Sequence, residues 1–254
     1  VVVISTLNSD SPWADRLPQG VAFIPFGEIC RDIDPTLHAQ LLGTFLVQLQ
    51  PDVIHNMNSA EGYLAFRDHG AALRHRSRLF ASVFCEDITH DGRIVGYAFD
   101  QLPDCFRYLS GVFADNGRIL SALREYFGFD RETVHLHYQP MKANALHGKT
   151  PRDRLTVLWA GRVDRQKRPD LLTKIAEQLK GSPIEFVVYG SSLLDKGHDS
   201  SQWSSLSNVD YRGGFDRFES LPLDEFDVFL HTAQWEGMPN VLLEAMVRGM
   251  PVVA

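Results

Sequence analysis

The chain has 254 residues, enough for one large domain or two ordinary ones, and its 32 acidic against 25 basic side chains leave a net charge of −7. That balance argues against a protein built to grip nucleic acid, and no apolar run approaches the roughly 20 residues of a membrane span. The three cysteines, Cys30, Cys85 and Cys105, form no CxxC pair, which argues against a zinc knuckle or disulfide scaffold and for a reducing, cytoplasmic setting.

Short apolar runs alternate with helical patterns along the chain, the signature of βα units around parallel sheets. Strands are expected at 1–5 and 21–24. Asp34-Pro35 is an N-cap and first-turn pair for a helix through Leu49. After a strand at 53–55, Ser59 is expected to cap a helix to about Arg76. Strands at 79–84 and 111–114 follow. Asn116 caps a helix through Tyr126, which Gly128 ends, and a strand at 133–136 completes this half. Residues 142–154 are polar, carry Gly148 and Pro151, and read as a linker. The βα series then resumes: a strand at 155–160, a helix at 168–180, a strand at 184–189, a short helix at 200–207, and strands at 209–211 and 228–231. A last helix from Pro239 to Arg248 ends at Gly249, and Pro251-Val252-Val253-Ala254 has the pattern of a buried strand. The fold class is therefore α/β, with two Rossmann-like parallel-sheet domains at 1–148 and 149–254. Val1 already stands in a strand-like run that lacks the basic flank of a signal peptide, and the chain stops on a strand. Both domains are expected to be incomplete, in an internal piece of a longer protein.

Ligands of open parallel sheets bind outside the carboxyl ends of the strands. One such end carries Gly161-Arg162-Val163-Asp164-Arg165-Gln166-Lys167. Gly161 lets the chain turn, and the planar fork of Arg162 with the point charge of Lys167 suits a diphosphate. A second, acidic feature follows. Glu236 stands in a loop and Glu244 two turns into a helix, across Gly237-Met238-Pro239-Asn240-Val241. Val241, Leu242, Leu243, Ala245 and Met246 make that helix apolar nearly all round, so it is expected to be buried, and a carboxylate on it needs a partner. Pro239 fits the first helical turn, leaving the N–H groups of Asn240 and Val241 for an anion.

These residues carry a resemblance. The second half resembles the donor domain of the GT-B glycosyltransferases of family 4, the retaining group. The matching motifs are Gly161-Arg162 … Lys167, Phe186-Val187-Val188-Tyr189-Gly190, Tyr211-Arg212-Gly213-Gly214-Phe215, and Glu236 to Glu244 running into Gly249-Met250-Pro251-Val252-Val253. The first half resembles the acceptor domain more loosely, at Pro51-Asp52-Val53-Ile54-His55 and the strand at 79–84. The resemblance implies two domains facing across a cleft, truncated here at both ends. It implies that Arg162 and Lys167 hold a donor diphosphate. Glu236 would bind donor-sugar hydroxyls, and the amides from Gly237 through Met238 and Pro239 to Asn240 and Val241 would meet the phosphates. Glu244 would bind the ribose, with Gly161, Gly214 and Phe215 near the donor. Transfer would be retaining and metal-independent, from a UDP- or GDP-linked sugar to a glycan or lipid-linked acceptor, with no cofactor. Where relatives carry a histidine on the acceptor side, this chain has Cys85-Glu86-Asp87, of which Glu86 or Asp87 is expected to approach the sugar instead. A non-catalytic subunit that binds nucleotide-sugar, or stabilises a partner, is the alternative.

Other signals carry less. Asp32-Ile33-Asp34 has the form of a metal-binding DxD, but Asp34 is better explained as a helix cap. His135 and His137 share one strand face without a third ligand at fixed spacing and read as core or edge histidines. Arg67, Arg74, Arg76 and Arg78 crowd a helix end, which complements its dipole. They also suit peripheral contact with an anionic inner membrane, or a phosphorylated acceptor. No HExxH, GxSxG, GxxxxGK[ST] or strand-following GxGxxG occurs.

Overall fold

Three side chains that cap helix starts lay out the first unit, Val1–His137. Asp34 accepts a hydrogen bond from Thr36 N at 2.9 Å and starts α2 (Pro35–Leu49); an isolated turn, α1 (Phe26–Ile29), precedes it. Ser59 Oγ accepts from Gly62 N at 3.0 Å at the head of α3 (Ala60–Leu73). Asn116 accepts from Ile119 N at 3.0 Å at the head of α6 (Gly117–Phe127), which stops at Gly128 in the left-handed region. Asp34 is thus a cap, as its neighbour Pro35 predicts, and Asp32 lies exposed beside it. The computed structural model describes residues 1–130, 132–142, 153–192 and 203–254; the linker at 142–154 and the boundary expected at 148/149 lie largely or wholly outside them.

Strands β3 (Val53–Met57), β4 (Arg78–Val83), β7 (Gly111–Ala114) and β8 (Val134–Leu136) pair in that order, all parallel. Alternation along β4 sends Leu79, Ala81 and Val83 into the core, where Tyr63 and Phe66 of α3 and Ile119 and Leu123 of α6 meet them. The opposite face is aromatic. Phe113 lies 5.8 Å from the ring of His55, 5.7 Å from His135 and 6.1 Å from His137, so the two expected histidines belong to a ring cluster on a sheet face. Strands β1 (Val2–Ile4) and β2 (Ala22–Ile24) form a separate parallel pair. Between β1 and β3 lies a cavity of about 740 Å³, lined by apolar residues such as Ile4, Leu42, Leu46 and Ile54. After β4 the chain forms an unexpected hairpin of β5 (Asp87–Ile88) and β6 (Ile94–Val95), then two short turns of helix, α4 (Tyr97–Asp100) and α5 (Leu102–Cys105). Of the arginine group, Arg67 pairs with Asp68 at 2.7 Å and Arg74 donates to Tyr108 O at 3.1 Å, while Arg76 and Arg78 are exposed. Among the described residues no helix is long and apolar enough to cross a membrane.

The second unit, Tyr138–Ala254, is built on β9 (Leu155–Ala160), β10 (Ile184–Tyr189), β11 (Val209–Tyr211), β12 (Val228–Leu230) and β13 (Val252–Val253). Their spatial order is β11-β10-β9-β12-β13, all parallel. Numbered along the chain this is 3-2-1-4-5, the doubly wound order in which the connections leave β9 and β12 in opposite directions. Both faces are covered, so the strands read as continuous apolar runs. Val157 and Trp159 point to a core with Leu172 and Ala176 of α7 (Pro169–Gln178) and with Trp203. Leu158 and Ala160 point to the other, with Phe218, Phe226 and Ala245 of α8 (Asn240–Met246). The short helix expected at 200–207 lies partly outside the described residues; of the rest, Trp203 is in 3-10 conformation and residues 204–207 are turns and irregular chain.

Asn116 ties the first unit together, because its amide also donates to Phe84 O at 2.7 Å across to the end of β4. Asn116→Ala is expected to lower stability by about 1–2 kcal/mol in urea unfolding, the size of a lost cap. An unchanged midpoint would show that water replaces both bonds.

Candidate functional site

The doubly wound order opens a crevice outside the carboxyl ends of β9 and β12, where neighbouring loops diverge. Both predicted motifs fall there. The chain leaves β9 at Gly161, whose N–H donates to Tyr189 O at 3.1 Å, and Val163 N donates to Ser191 O at 3.0 Å, so the loop stays in step with the end of β10. Gly190 is required at this approach: a Cβ on it would sit 2.0 Å from Gly161 O. Buried Asp164 then closes a turn by accepting from Lys167 N at 3.1 Å. Arg168 follows in the left-handed region, with φ 53°, held by a side-chain pair to Asp170 at 2.7 Å, and Pro169 opens α7.

This loop is tied to the one after β12. Thr232, which is buried, accepts from the indole N–H of Trp159 at 2.8 Å and donates to Lys167 O at 2.6 Å. Gln166 Nε2 donates to Trp235 O at 2.9 Å, and Gln234 N donates to Gln166 O at 2.9 Å. The Arg165 guanidinium lies 4.7 Å from the centre of the Trp235 ring. These contacts fix where Lys167 and Glu236 stand, and the two side chains form an ion pair in which they are 13% and 18% exposed. Arg162 is held differently, by Asp164 at 3.0 Å and by Gln166 Oε1 at 2.6 Å.

A cavity of about 380 Å³ collects these groups. Gly161, Arg162 and Lys167 form one wall. Glu236, Met238, Pro239, Asn240 and Val241 form another, and Phe215, Gly190 and Ser191 close the side nearest β10. Every one of these was expected as a site residue except Gly190, which was expected only as part of a strand-and-turn motif, and Ser191, which sequence reasoning missed. Gly214 is adjacent: a Cβ on it would lie 3.6 Å from Ser191 Oγ. Gly237 and Glu244 do not line the cavity wall.

Two expectations about the acidic helix need correction. Pro239 is the N-cap, with ψ 113°, rather than a residue of the first turn. The first intrahelical bonds run from Leu242 and Leu243 to Pro239 O, so the N–H groups of Asn240 and Val241 still precede the ladder, beside the cavity. The helix has only seven residues and is half-buried: Ala245 alone is buried, and Met246 is 56% exposed. Its apolar composition suggested burial all round, whereas it packs through one side on the sheet. Glu244 is therefore half-buried. Burial pushes its carboxyl above the ordinary carboxylate range, and nearby Glu219 adds to the shift against the pull of Arg248. His231, at the end of β12, is pushed the other way, by burial and by Lys167 against the pull of Glu236.

The acceptor-side candidates lie at the carboxyl end of β4 in the first unit. Glu86 is buried and ion-paired at 2.6 Å with Arg118 in the first turn of α6. Cys85 is exposed, and Asp87 opens the β5–β6 hairpin with its carboxylate accepting from Ile88 N at 2.7 Å. No strand was expected between 84 and 111, yet Asp91-Gly92, with Gly92 at φ 82°, is a recognisable hairpin turn signal.

Removing the Thr232 hydroxyl leaves the Trp159 indole N–H and Lys167 O without their partner. Thr232→Val is expected to cost about 1–3 kcal/mol in urea unfolding and Thr232→Ser to restore most of it. Equal stability of the valine and serine variants would exclude this role. The raised pKa of Glu244 has the opposite sign for stability. The ionised carboxylate is disfavoured in the fold, a cost present above the raised pKa and absent below the ordinary carboxylate value. Glu244→Gln is expected to raise Tm by about 1 °C at pH 7 and to lose that advantage as the pH falls through this window. A lower Tm at pH 7 would contradict the assigned burial.

The chain is similar to known proteins in sequence over its second unit and in fold over its whole length. Residues 154–254 match the family model "Glycosyl transferases group 1". An uncharacterized 41.2 kDa protein of the cps region of Klebsiella pneumoniae is 33% identical over 105 residues, covering 41% of this chain and 28% of that protein. A poly(ribitol-phosphate) alpha-N-acetylglucosaminyltransferase of Staphylococcus aureus (strain COL) is 32% identical over 91 residues, covering 35% of this chain and 18% of that enzyme. The matches thus span less than a third of these relatives. Across its whole length the chain superposes on Alr3699/HepE of Anabaena, solved with UDP and glucose, with a TM-score of 0.72, 18% identity and 72% of that chain covered. The fold is accordingly the α/β, parallel-sheet fold of the GT-B glycosyltransferases, and residues 154–254 are similar in sequence to a glycosyl transferase group 1 domain.

Proposed function

We propose that the second unit is the donor site of a retaining, metal-independent GT-B glycosyltransferase of family 4, and that the donor is a UDP-linked hexose. The observation that carries the reading is the meeting of Arg162, Lys167, Glu236 and the amides of Asn240 and Val241 around one cavity at the ends of β9 and β12. Two cations and free backbone N–H groups suit a diphosphate, and a carboxylate beside them suits sugar hydroxyls. UDP as the nucleotide carrier is supported by the likeness to HepE, whose structure holds UDP and glucose.

In this reading Arg162 and Lys167 bind the diphosphate and Glu236 accepts hydrogen bonds from the sugar. Glu244 serves the ribose, with Gly214 and Phe215 near the base. The acceptor is a glycan or a lipid-linked glycan. Its hydroxyl oxygen bonds to the anomeric carbon on the face that the leaving group departs. The bond to the phosphate oxygen breaks, and the hydroxyl proton passes to that oxygen, so configuration is retained. Arg162 and Lys167 neutralise charge growing on the leaving diphosphate, the task a divalent metal performs elsewhere. Glu86 and Asp87 are the proposed acceptor-side groups, with Cys85 beside them.

The test is calorimetric binding of UDP-glucose and GDP-mannose, with and without EDTA, to the protein and to Arg162→Ala. UDP-glucose is expected to bind, EDTA to change nothing, and the variant to lose about tenfold or more in affinity, as for one lost charged hydrogen bond. Failure of both nucleotide-sugars to bind the folded protein would favour a non-catalytic subunit. Loss of binding in EDTA that Mg²⁺ restores would end the metal-independent reading.

A further inference from the structure

We infer that Glu236 makes the cavity discriminate against a nucleoside diphosphate that carries no sugar, by competing with the diphosphate for Lys167. The inference rests on the donor-site reading above and adds a role that hydrogen bonding to the sugar does not include. In the structure Lys167 Nζ is ion-paired with Glu236 Oε1, and both side chains are mostly shielded from solvent. Arg162 is ion-paired with Asp164 at 3.0 Å. The cavity's two cations are therefore each matched by a carboxylate before any ligand arrives. Asp164 lies behind the loop, fixed by the Lys167 N–H, and does not line the cavity; Glu236 does.

A diphosphate that takes Lys167 displaces Glu236 and leaves its carboxylate close to a new anion. Shielding keeps that repulsion from being screened away. When a sugar is attached, its hydroxyls donate to the released carboxylate and replace the lost ammonium. When none is attached, nothing on the ligand does. The displacement penalty thus falls on both ligands, and the compensation on one. After transfer, the remaining nucleoside diphosphate has lost the sugar that held Glu236, and the Lys167–Glu236 pair re-forms against it. The same residue that holds the donor sugar therefore assists departure of the spent carrier.

The sign of one substitution decides this. Glu236→Gln keeps the shape and an acceptor oxygen and removes the charge. Calorimetry with UDP, UDP-glucose and inorganic diphosphate is expected to show UDP and inorganic diphosphate binding about tenfold tighter to Glu236→Gln than to the wild type, and UDP-glucose weaker. In the double variant Lys167→Met/Glu236→Gln the gain for both sugar-free anions is expected to vanish, which ties it to Lys167. Weaker or unchanged binding of UDP and inorganic diphosphate to Glu236→Gln overturns the inference. If the wild type binds neither UDP nor UDP-glucose, the donor-site reading falls by itself. Inorganic diphosphate still decides the competition in that case: tighter binding to Glu236→Gln upholds it and unchanged binding ends it.

Discussion

A single buried hydroxyl joins the parts of the candidate site. Thr232 receives the Trp159 indole proton from the middle of the sheet and gives its own to the carbonyl of Lys167. β9 and β12 are neighbours whose connections depart in opposite directions, so nothing in the sheet ladder itself keeps their exit loops together. The bridge through Thr232, with the Gln166–Trp235 and Gln234–Gln166 bonds, supplies that register. It also holds the chain through the left-handed Arg168, a conformation that costs about 1 kcal/mol or more for a residue with a side chain. The cation of Lys167 is therefore placed by backbone geometry that was fixed before any ligand contact.

Electrostatics follow from that placement. A lysine and an arginine charge facing the same small cavity would repel each other, and each is instead balanced by a carboxylate of its own. The balance is unequal, since one acid is structural and the other faces the ligand space. Burial and Lys167 also disfavour a third cation at His231, at the end of β12.

Much of this could be read from the residues because the relevant interactions are local. Asp34, Ser59 and Asn116 each satisfy a backbone N–H two or three residues ahead, so their caps are visible in sequence. The strands of the second unit are buried on both faces and announce themselves as apolar runs. The site motifs were legible for the same reason: Gly161 to Lys167 and Glu236 to Val241 are each contiguous. What escaped depends on partners far along the chain. Thr232 meets Lys167 across 65 residues, and Ser191 reaches the cavity only because β10 lies beside β9. The burial of α8 was overestimated because apolar composition reports what a helix is able to cover, and only packing determines what covers it. The β5–β6 hairpin was lost because its strands are two residues long, too short for any period to show, although its turn was written plainly in Asp91-Gly92.

The missing side chain at Gly190 has a consequence for anyone who would reshape the cavity. With only 2.0 Å between a would-be Cβ and Gly161 O, this wall tolerates no chemical vocabulary at all, whereas its next neighbour Ser191 is exposed and free to carry one. A library that randomises the whole rim would lose the great majority of its members to that one codon. Diversity confined to Ser191, Met238 and Val241 would vary what the cavity accepts while leaving intact the backbone contact that gives it a shape.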